Sequence, residues 1–191
     1  MTPSPTRCFL IRHGETEWSR DRRHTGRTDL PLLAGAAARL GVVRRVLGGR
    51  RPAAVFTSPL ERARDTVALL GWAGSAVVDE DLAEWDYGEY EGMTTEEIRR
   101  SRPGWSLFAD GAPGGESLEE VTRRVDRVLA RVRAVPGEVA CVAHAHLLRV
   151  MAARWIGLDG AGGRHFVLGA GSLSELGWER EQPVVVSWNL R

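Results

Sequence analysis

Three short apolar runs, each followed by polar residues at a turn, constrain the fold of this chain more than any other feature of its sequence. They are CFLI at 8–11, AAVFTS at 53–58 and EVACVAH at 138–144. Short apolar runs bounded by turn residues are typical of buried strands. Two further β-like runs lie near 172–178 and 183–189. The chain is therefore predicted to contain a sheet whose first strands lie in the core.

Helical segments are predicted between these strands. Residues 34–48 are rich in Ala, Val and Leu, which favours a helix. After the second strand, Ser58 is expected to cap a helix, with Pro59 at its first position and Glu61 completing a capping box. Arg62 would then lie in the first turn of that helix, beside the end of a strand.

Two more capping boxes mark helix starts later in the chain. Thr94 with Glu97 predicts a short helix to about residue 101, and Ser117 with Glu120 predicts a longer one that has a single apolar stripe. A last helix is expected after the third apolar run, through Leu147, Leu148, Met151 and Trp155.

The alternation of strands and helices favours an α/β fold, a three-layer sandwich with a mostly parallel central sheet. Sheets of this kind bind ligands at the carboxyl ends of their strands. Three polar groups are predicted to meet there: Arg12-His13, Arg62 and His144. This edge of the sheet is the expected functional site.

Composition excludes several classes of function. A chain of 191 residues fits one compact domain, and its net charge of +1 gives no general attraction to nucleic acid or to an acidic membrane surface. All 26 basic residues are Arg, so Schiff-base, general-base and P-loop lysine chemistries are excluded. Cys8 and Cys141 are too few for a disulfide framework or a zinc site, and we expect reduced core residues.

The ends of the chain and its hydropathy favour a soluble, cytoplasmic protein. The N-terminal MTPSPTR has no apolar signal region, and no run approaches the roughly 18 apolar residues of a membrane span. Residues 1–6 are expected to be a frayed terminus.

Arg12-His13-Gly14-Glu15-Thr16 directly follows the first strand. A histidine at such a turn can present one ring nitrogen to a ligand while the other bonds the backbone. Taken alone, His13 is more simply interpreted as a satisfied core histidine. Arg62 and His144 at the same edge change that interpretation, because burying several cations without a partner is costly. A phosphate suits the paired donors of Arg, so the cluster favours a phosphorylated ligand.

Glu84 lies in a turn-rich stretch among bulky apolar residues. A carboxyl group partly desolvated by Trp85 or Tyr87 holds its proton more readily and can act as a general acid. The alternative interpretation is a solvated loop carboxylate that pairs with Arg.

These residues fall in motifs that resemble those of the histidine phosphatase superfamily, also called the phosphoglycerate mutase-like family. Arg12–Thr16 resembles its signature motif, and the later blocks occur in the family's order over about residues 7–176. The segment Trp85-Asp86-Tyr87-Gly88 resembles the corresponding segment of the acid-phosphatase branch. The later blocks are His24–Leu32, Thr57–Ala63, Leu82–Gly92, Gly114–Ser117 and Val142–His146.

The resemblance implies a phosphoglycerate mutase-like fold and one domain over residues 1–191, with a small lid at about 86–116. It also implies that His13 is the nucleophile that becomes phosphohistidine, and that Glu84 gives a proton to the leaving oxygen. Phosphoryl transfer depends on positioning and on neutralising charge, which Arg and His can supply. No metal and no cofactor are therefore expected.

Further site residues are implied by the same resemblance. Arg12, Arg62 and His144 are expected to hold the phosphoryl oxygens. The expected substrate-binding residues are Ser19, Thr25, Gly26, Arg27 and Ala145.

Two positions depart from the family's pattern. Ser19 stands where Asn is often found, and its shorter side chain is expected to reach phosphate only through water. Ala145 replaces the usual Gly after the second histidine, which keeps the backbone N–H but makes a positive φ costly. Among the remaining histidines, His24 is a further candidate for substrate contact, whereas His146 and His165 are interpreted as structural.

The reaction class follows from the short interval between Met93 and Pro113. A mutase must keep water from its phosphorylated intermediate, so little cover favours a phosphomonoesterase acting on a small phosphorylated metabolite, a sugar phosphate or similar. A cofactor-dependent phosphoglycerate mutase is the alternative, and a non-catalytic phosphate-binding module is a third. Trp105 and Phe108 in this interval are expected to pack the lid rather than to form a wall for the leaving group.

Partners other than a small phosphorylated metabolite are not expected, apart from a second copy of the chain. Val184-Val185-Val186 could pair two copies at a sheet edge, or could form an internal strand. A homodimer is therefore possible, whereas binding to nucleic acid or membrane is not predicted.

Overall fold

The computed structural model describes residues 6–191, and a six-stranded sheet forms its centre. The strands are β1 (Arg7–Arg12), β2 (Ala54–Thr57), β3 (Ala76–Val78), β4 (Glu138–Ala143), β5 (Leu173–Glu179) and β6 (Gln182–Leu190). Their order across the sheet is β3-β2-β4-β1-β5-β6. The pairs from β3 to β1 are parallel, and β5 and β6 each pair antiparallel with their preceding neighbour. The prediction of a mostly parallel α/β sheet is confirmed.

Eight helices connect or follow these strands in the described part of the chain. They are α1 (Glu17–Arg20), α2 (Ala36–Arg39), α3 (Gly41–Leu47), α4 (Glu61–Leu69), α5 (Thr95–Ser101), α6 (Leu107–Asp110), α7 (Leu118–Arg133) and α8 (Ala145–Trp155). Short 3₁₀ turns occupy Glu80–Leu82, Gly88–Tyr90 and Gly160–His165.

Side chains along β1 alternate between two hydrophobic clusters. Cys8 and Leu10 pack in a cluster with α7 and α8, whereas Phe9 and Ile11 pack in a second cluster with α3 and α4. Successive residues of a strand point to opposite faces of the sheet, so these two clusters lie on opposite faces. Helices therefore cover both faces, and the predicted three-layer sandwich is confirmed.

The helix after β2 starts differently from the prediction. Leu60 is extended and α4 begins at Glu61, so the capping box from Ser58 to Glu61 is wrong. The Glu61 N–H instead donates to both carboxylate oxygens of Asp29, at 2.8 and 3.0 Å. This capping group is 32 residues away in the sequence, so no local pattern shows it. Arg62 still lies in the first turn, as predicted.

Other predicted helix boundaries agree more closely with the structure. The capping boxes at Thr94 and at Ser117 are both formed. The helix predicted over 34–48 is divided into α2 and α3 at Leu40, which precedes Gly41, a weak helix former.

Strand β3 was not predicted from the sequence. It has only three residues, and Val77 and Val78 are 56% and 50% exposed. A short edge strand lacks the buried apolar run by which the other parallel strands are identified.

The frayed terminus predicted for residues 1–6 is wrong at Thr6, and residues 1–5 lie outside the described residues. Thr6 is buried, and its hydroxyl donates to the Val135 carbonyl at 2.7 Å. The Thr6 carbonyl accepts a hydrogen bond from Nε1 of Trp178 at 2.9 Å. Cys8 and Cys141 are buried free thiols, as predicted. No helix within residues 6–191 is long and apolar enough to cross a bilayer.

Candidate active site

His13 lies at the carboxyl end of β1 and is 4% exposed. Its backbone N–H donates to the Ala143 carbonyl at 2.9 Å, which ties it to the end of β4. Its Nδ1 lies 2.7 Å from the Gly14 carbonyl. A carbonyl oxygen only accepts, so Nδ1 carries the proton and Nε2 keeps its lone pair. Burial, followed by the charges of Arg12 and Arg62, lowers the pKa of His13 well below its ordinary value, so the ring is neutral.

Gly14 provides the close packing that this turn requires. A Cβ on Gly14 would lie 2.9 Å from the Cβ of Ala36 and 3.3 Å from a methyl group of Leu32. The Gly14 N–H donates to the Thr66 hydroxyl on α4 at 2.9 Å. The absence of a side chain therefore lets the turn after β1 approach the helical layer.

Arg12, the last residue of β1, is aimed into the same region. Its Nη1 donates to the Leu168 carbonyl at 2.7 Å, whereas its Nε is buried and has no hydrogen-bond partner among the described residues. Burial lowers the pKa of Arg12, and the carboxylate of Glu84 opposes that effect. A buried guanidinium N–H without a partner is a donor available to an oxyanion.

Arg62 is fully buried, and its donors are directed to protein groups. Its Nε donates to Nδ1 of His144 at 3.2 Å, and its Nη1 donates to the Thr28 carbonyl at 2.9 Å. Its Nη2 donates to the carbonyls of Gly26 and Thr25, at 2.9 and 3.2 Å. Arg62 therefore holds the segment after α1 against the second histidine.

His144 follows β4 as His13 follows β1, and its two ring nitrogens both have partners. Because Nδ1 accepts from Arg62, the proton is on Nε2, which lies 2.7 Å from the Ser58 hydroxyl. Burial lowers the pKa of His144 well below its ordinary value, and the positive charge of Arg62 adds to that effect. Ring centroids of His13 and His144 are 5.1 Å apart.

Glu84 is 3% exposed, so it is a buried carboxylate and not a solvated loop residue. It accepts hydrogen bonds from three backbone N–H groups, those of Trp85 at 2.9 Å, His146 at 3.1 Å and Leu147 at 3.0 Å. Two of these donors belong to the first turn of α8, where the helix dipole favours negative charge. These hydrogen bonds fix the carboxylate near the edge of the sheet at which His13 and His144 lie.

The segment that carries Glu84 is held by an ion pair that sequence reasoning missed. Arg124 on α7 makes a two-point contact with Glu116, at 2.7 and 2.8 Å, and also donates to the carbonyls of Ala83 and Glu84. Glu116 in turn accepts from the Asp86 N–H at 3.0 Å. Arg124 is one of several arginines on α7, and nothing in the sequence distinguishes it.

These residues surround a cavity of about 370 Å³. Its wall includes Arg12, His13 and Glu84, together with three of the predicted substrate-binding residues, Ser19, Thr25 and Ala145. Arg62 and His144 are not part of that wall. A larger cavity of about 660 Å³, lined by Arg44, Trp72 and their neighbours, contains none of the predicted site residues. We place the site in the smaller cavity, because the reactive groups converge there.

Ser19 and Ala145 both line the cavity, but their local hydrogen bonding and backbone settings differ. The Ser19 hydroxyl accepts from the Thr16 N–H at 2.9 Å and donates to the Thr16 carbonyl at 3.0 Å, so it caps α1. Ala145 is the first residue of α8 and has no positive φ, so the absence of Gly causes no strain there.

Gly26 and Arg27 lie outside the cavity wall, and their predicted contact with substrate stays a prediction. The Gly26 N–H donates to both oxygens of Glu91, at 2.8 and 3.0 Å, and a Cβ there would lie 2.7 Å from the Trp85 carbonyl. Arg27 is 61% exposed and pairs with Asp86 at 3.3 Å. Both residues hold the loop in place.

The cavity wall also contains a cluster of neutral aromatic side chains that was only partly predicted. His24, a predicted candidate for substrate contact, lines the cavity, and burial lowers its pKa to about 4. His146, interpreted as structural, also lines it, and its Nδ1 lies 2.6 Å from the Tyr87 hydroxyl. Trp105 and Phe108 are 3% and 7% exposed and pack in the hydrophobic core, and both also line a neighbouring cavity of about 180 Å³.

Among residues 6–191, no group of three or more His, Cys, Asp or Glu side chains is placed to hold a metal ion. The positive charge at the cavity comes from arginines instead.

Residues 8–191 match the model of the histidine phosphatase superfamily (branch 1). The chain belongs to this superfamily. This histidine phosphatase is 38% identical over 177 residues to an acid phosphatase of Mycobacterium tuberculosis, across 91% of this chain and 87% of that protein. It is 39% identical over 190 residues to a sedoheptulose 1,7-bisphosphatase of Saccharomyces cerevisiae, across 83% of this chain and 69% of that protein.

A solved structure from M. tuberculosis superposes on this histidine phosphatase with a TM-score of 0.89, at 35% identity and over 97% of each chain. The family, the phosphoglycerate mutase-like fold and the phosphomonoesterase reaction class predicted from the sequence are thus confirmed.

Proposed function

We propose that this histidine phosphatase hydrolyses phosphomonoesters of small metabolites through a phosphohistidine at Nε2 of His13. The observation that carries the proposal is the hydrogen bond from Nδ1 of His13 to the Gly14 carbonyl. It leaves the Nε2 lone pair at the cavity wall, on a ring that stays neutral, beside the unpartnered Nε of Arg12.

In the first step, Nε2 of His13 attacks phosphorus and the bond from phosphorus to the ester oxygen breaks. The carboxylic acid form of Glu84 gives its proton to the departing oxygen, and an alcohol leaves.

In the second step, Glu84 takes a proton from water as the water oxygen attacks the phosphohistidine. The bond from phosphorus to nitrogen breaks, inorganic phosphate forms and His13 returns to its neutral state. A carboxyl group that acts first as acid and then as base needs a fixed position near both oxygens, which its three backbone donors support.

Arg12 is proposed to bind a phosphoryl oxygen through its Nε. Arg62 and His144 lie outside the cavity wall and are proposed to stabilise the charge of the phosphoryl group from there. To contact a phosphoryl oxygen directly, each would have to give up a hydrogen bond that it makes within the protein. For His144 that bond is to the Ser58 hydroxyl, and for Arg62 it is to loop carbonyls such as that of Thr28.

The substrate is proposed to be a small phosphorylated metabolite, a sugar phosphate or similar. The cavity volume of about 370 Å³ lies in the range of small-molecule sites. Relatives named as an acid phosphatase and a sugar bisphosphatase support this class. The segment over 86–116, which contains α5 and α6, is proposed to be the lid of a single domain.

The proposal is tested by rapid quenching of the wild-type enzyme with ³²P-labelled substrate. We expect a phosphoryl adduct that is labile in acid, stable in base and located on His13. Label on a serine or an aspartate would refute the mechanism.

The mutase alternative is tested on the same preparation. We expect phosphate release from phosphomonoesters and little conversion of 2-phosphoglycerate to 3-phosphoglycerate, even after priming with 2,3-bisphosphoglycerate. Isomerisation faster than phosphate release would make the enzyme a mutase.

Two copies of the chain are proposed to pair through β6. This strand lies at the edge of the sheet, so the alternative of an internal strand is wrong. Val186 is 49% exposed, and an open strand edge can pair with another. Light scattering of the wild type and of Val186→Arg tests this proposal, and a monomeric wild type would overturn it.

A further inference from the structure

The cavity carries more positive charge than one phosphoryl group requires. Among the described residues, five arginines line it, and Glu84 is the single carboxylate in its wall. One of the five, Arg23, is already paired with Glu97 at 3.3 Å. The arginines that line the wall are Arg12, Arg22, Arg23, Arg149 and Arg164.

Arg149 and Arg164 form no ion pair with any described residue. Arg149 is half-buried on α8, one helical turn after Ala145. Its Nε donates to the Gly163 carbonyl at 3.0 Å, and its guanidinium lies 4.8 Å from the Phe108 ring centroid. This side chain is held in place by neutral groups, so its charge is left without a counter-ion.

The cavity continues past these two arginines into a smaller one of about 180 Å³. The two cavities share five residues, and no Asp or Glu of the described chain lines the smaller one. Trp105 and Phe108 form its apolar side. The shared residues are His24, Thr95, His146, Arg149 and Arg164.

Neutral hydrogen-bonding groups line the same cavity as the two arginines and the nucleophile. His24 is uncharged at neutral pH, and its Nε2 lies 3.3 Å from the Thr95 hydroxyl. Tyr87 and His146 form their own hydrogen-bonded pair in the same wall. Groups of this kind suit the hydroxyls of a polyol, whereas the arginines suit an oxyanion.

We propose that Arg149 and Arg164 form a second anion subsite, and that the substrate is a hydroxylated phosphomonoester with a further oxyanion, carboxylate or phosphate, distant from the scissile group. The inference rests on the proposed function, since it assigns the rest of the substrate whose phosphoryl group reaches His13. Both arginines line the two cavities, and an oxyanion there would supply the counter-ion that neither has among the described residues.

The test compares phosphate release from two matched pairs of substrates. 3-Phosphoglycerate and glycerol 3-phosphate differ by a carboxylate, whereas fructose 1,6-bisphosphate and fructose 1-phosphate differ by a phosphate. We expect the wild type to prefer the doubly anionic member of at least one pair by about 10-fold in kcat/KM, as expected for one charged hydrogen-bonding contact. The pair that shows the preference identifies the oxyanion.

Arg149→Gln and Arg164→Gln are each expected to reduce that preference by about 10-fold, through KM rather than kcat. Arg149→Lys keeps the charge and should restore part of it. The matched control is Arg45→Gln, an exposed arginine outside both cavities, which should leave the preference unchanged. Equal losses on both members of a pair, or no preference in the wild type, would overturn the subsite.

Failure of the proposed function is recognised separately. If wild type releases no phosphate even from p-nitrophenyl phosphate, the hydrolase proposal fails, and calorimetric binding of the same four compounds decides the subsite. Tighter binding of a doubly anionic compound that is lost in Arg164→Gln supports it, and equal binding of all four in wild type and variant overturns it.

Discussion

His13 and His144 occupy equivalent positions at the ends of neighbouring parallel strands. The register pairs Arg12 with Ala143, so the two histidines follow side by side. Both are buried, and burial lowers the pKa of each. Their ring nitrogens differ: His13 bonds the backbone through Nδ1 alone, whereas His144 contacts Arg62 through Nδ1 and the Ser58 hydroxyl through Nε2.

This difference shows how one sequence signal can yield two roles. A histidine after a buried strand is positioned at the ligand-binding edge of the sheet in either case. The partners of its ring then decide whether a lone pair remains for attack. His13 has one such lone pair, and the lone pair of His144 is already bonded to a guanidinium.

The largest effect is expected for His13→Ala. Without the nucleophile, phosphate release should fall by about 10⁴-fold or more. The thermal unfolding midpoint should change little, because the substitution removes a single bond to the Gly14 carbonyl. Phosphate release and calorimetry check both parts. Substantial remaining activity with a labelled His144 would reverse the roles of the two histidines.

Glu84→Gln is expected to have the next largest effect. Its carboxylate accepts from the backbone N–H groups of His146 and Leu147, at the start of the helix that follows His144. The segment that begins with His144 therefore positions the acid for His13. Alkyl phosphates, which have poor leaving groups, should be hydrolysed about 10²–10⁴-fold more slowly. Aryl phosphates with activated leaving groups should lose much less. Equal losses on both would mean that Glu84 orients the substrate and transfers no proton.

His144→Ala should weaken stability more than His13→Ala and catalysis less. It leaves the buried Nε–H of Arg62 without an acceptor, which costs about 1–3 kcal/mol in the free energy of unfolding. Urea denaturation measures this, and rapid quenching should still find the adduct on His13. Ser58→Ala removes the other partner of the ring and is the milder control, since Arg62 keeps its acceptor.

The pH dependence of activity and stability distinguishes histidines whose pKa is lowered, such as His13 and His144, from histidines with an ordinary pKa. His13 stays unprotonated as the pH falls through 6.5, the ordinary histidine value, so kcat/KM should not decline there through loss of the nucleophile. In the unfolded chain both histidines bind protons near that pH, while in the folded chain they do not. The free energy of unfolding should therefore fall as the pH drops below about 6.5.

The matched comparison is His144→Gln. In this variant the free energy of unfolding should fall less steeply as the pH drops, by up to about 1.4 kcal/mol per pH unit. Urea denaturation at pH 7, 6 and 5 provides the slopes. Identical slopes in wild type and variant would mean that His144 titrates normally in the folded state.

The smallest effect is expected on removing metals. The arginines that line the cavity supply positive charge to stabilise the phosphoryl group, so dialysis against EDTA should leave phosphate release within error of the untreated enzyme. Loss of activity that magnesium or zinc restores would show that a metal takes part.

Much of this molecule follows from local sequence patterns. The runs at 8–11 and 138–144 predict buried strands because apolar side chains on both faces of a strand require cover on both faces. The capping boxes at Thr94 and Ser117 satisfy helix ends within four residues, so they are visible in the sequence. Placing His13 and His144 at one edge follows from the same reasoning.

Contacts between distant segments decided the rest. Asp29, not Ser58, caps α4, and Ser58 instead bonds His144. Arg124 holds the segment of Glu84 from α7, although its neighbours on that helix look the same in sequence.

The sequence by itself determined five of the six strands of the sheet, its carboxyl edge and the types of residue that meet there, because strand burial and helix capping depend on near neighbours. Only the tertiary structure decided which nitrogen of each histidine is free and which arginines keep an unpaired charge. Hydrogen bonding is directional and short in range, so these properties depend on partners such as Gly14, Arg62 and Ser58 lying within about 3 Å in the folded chain.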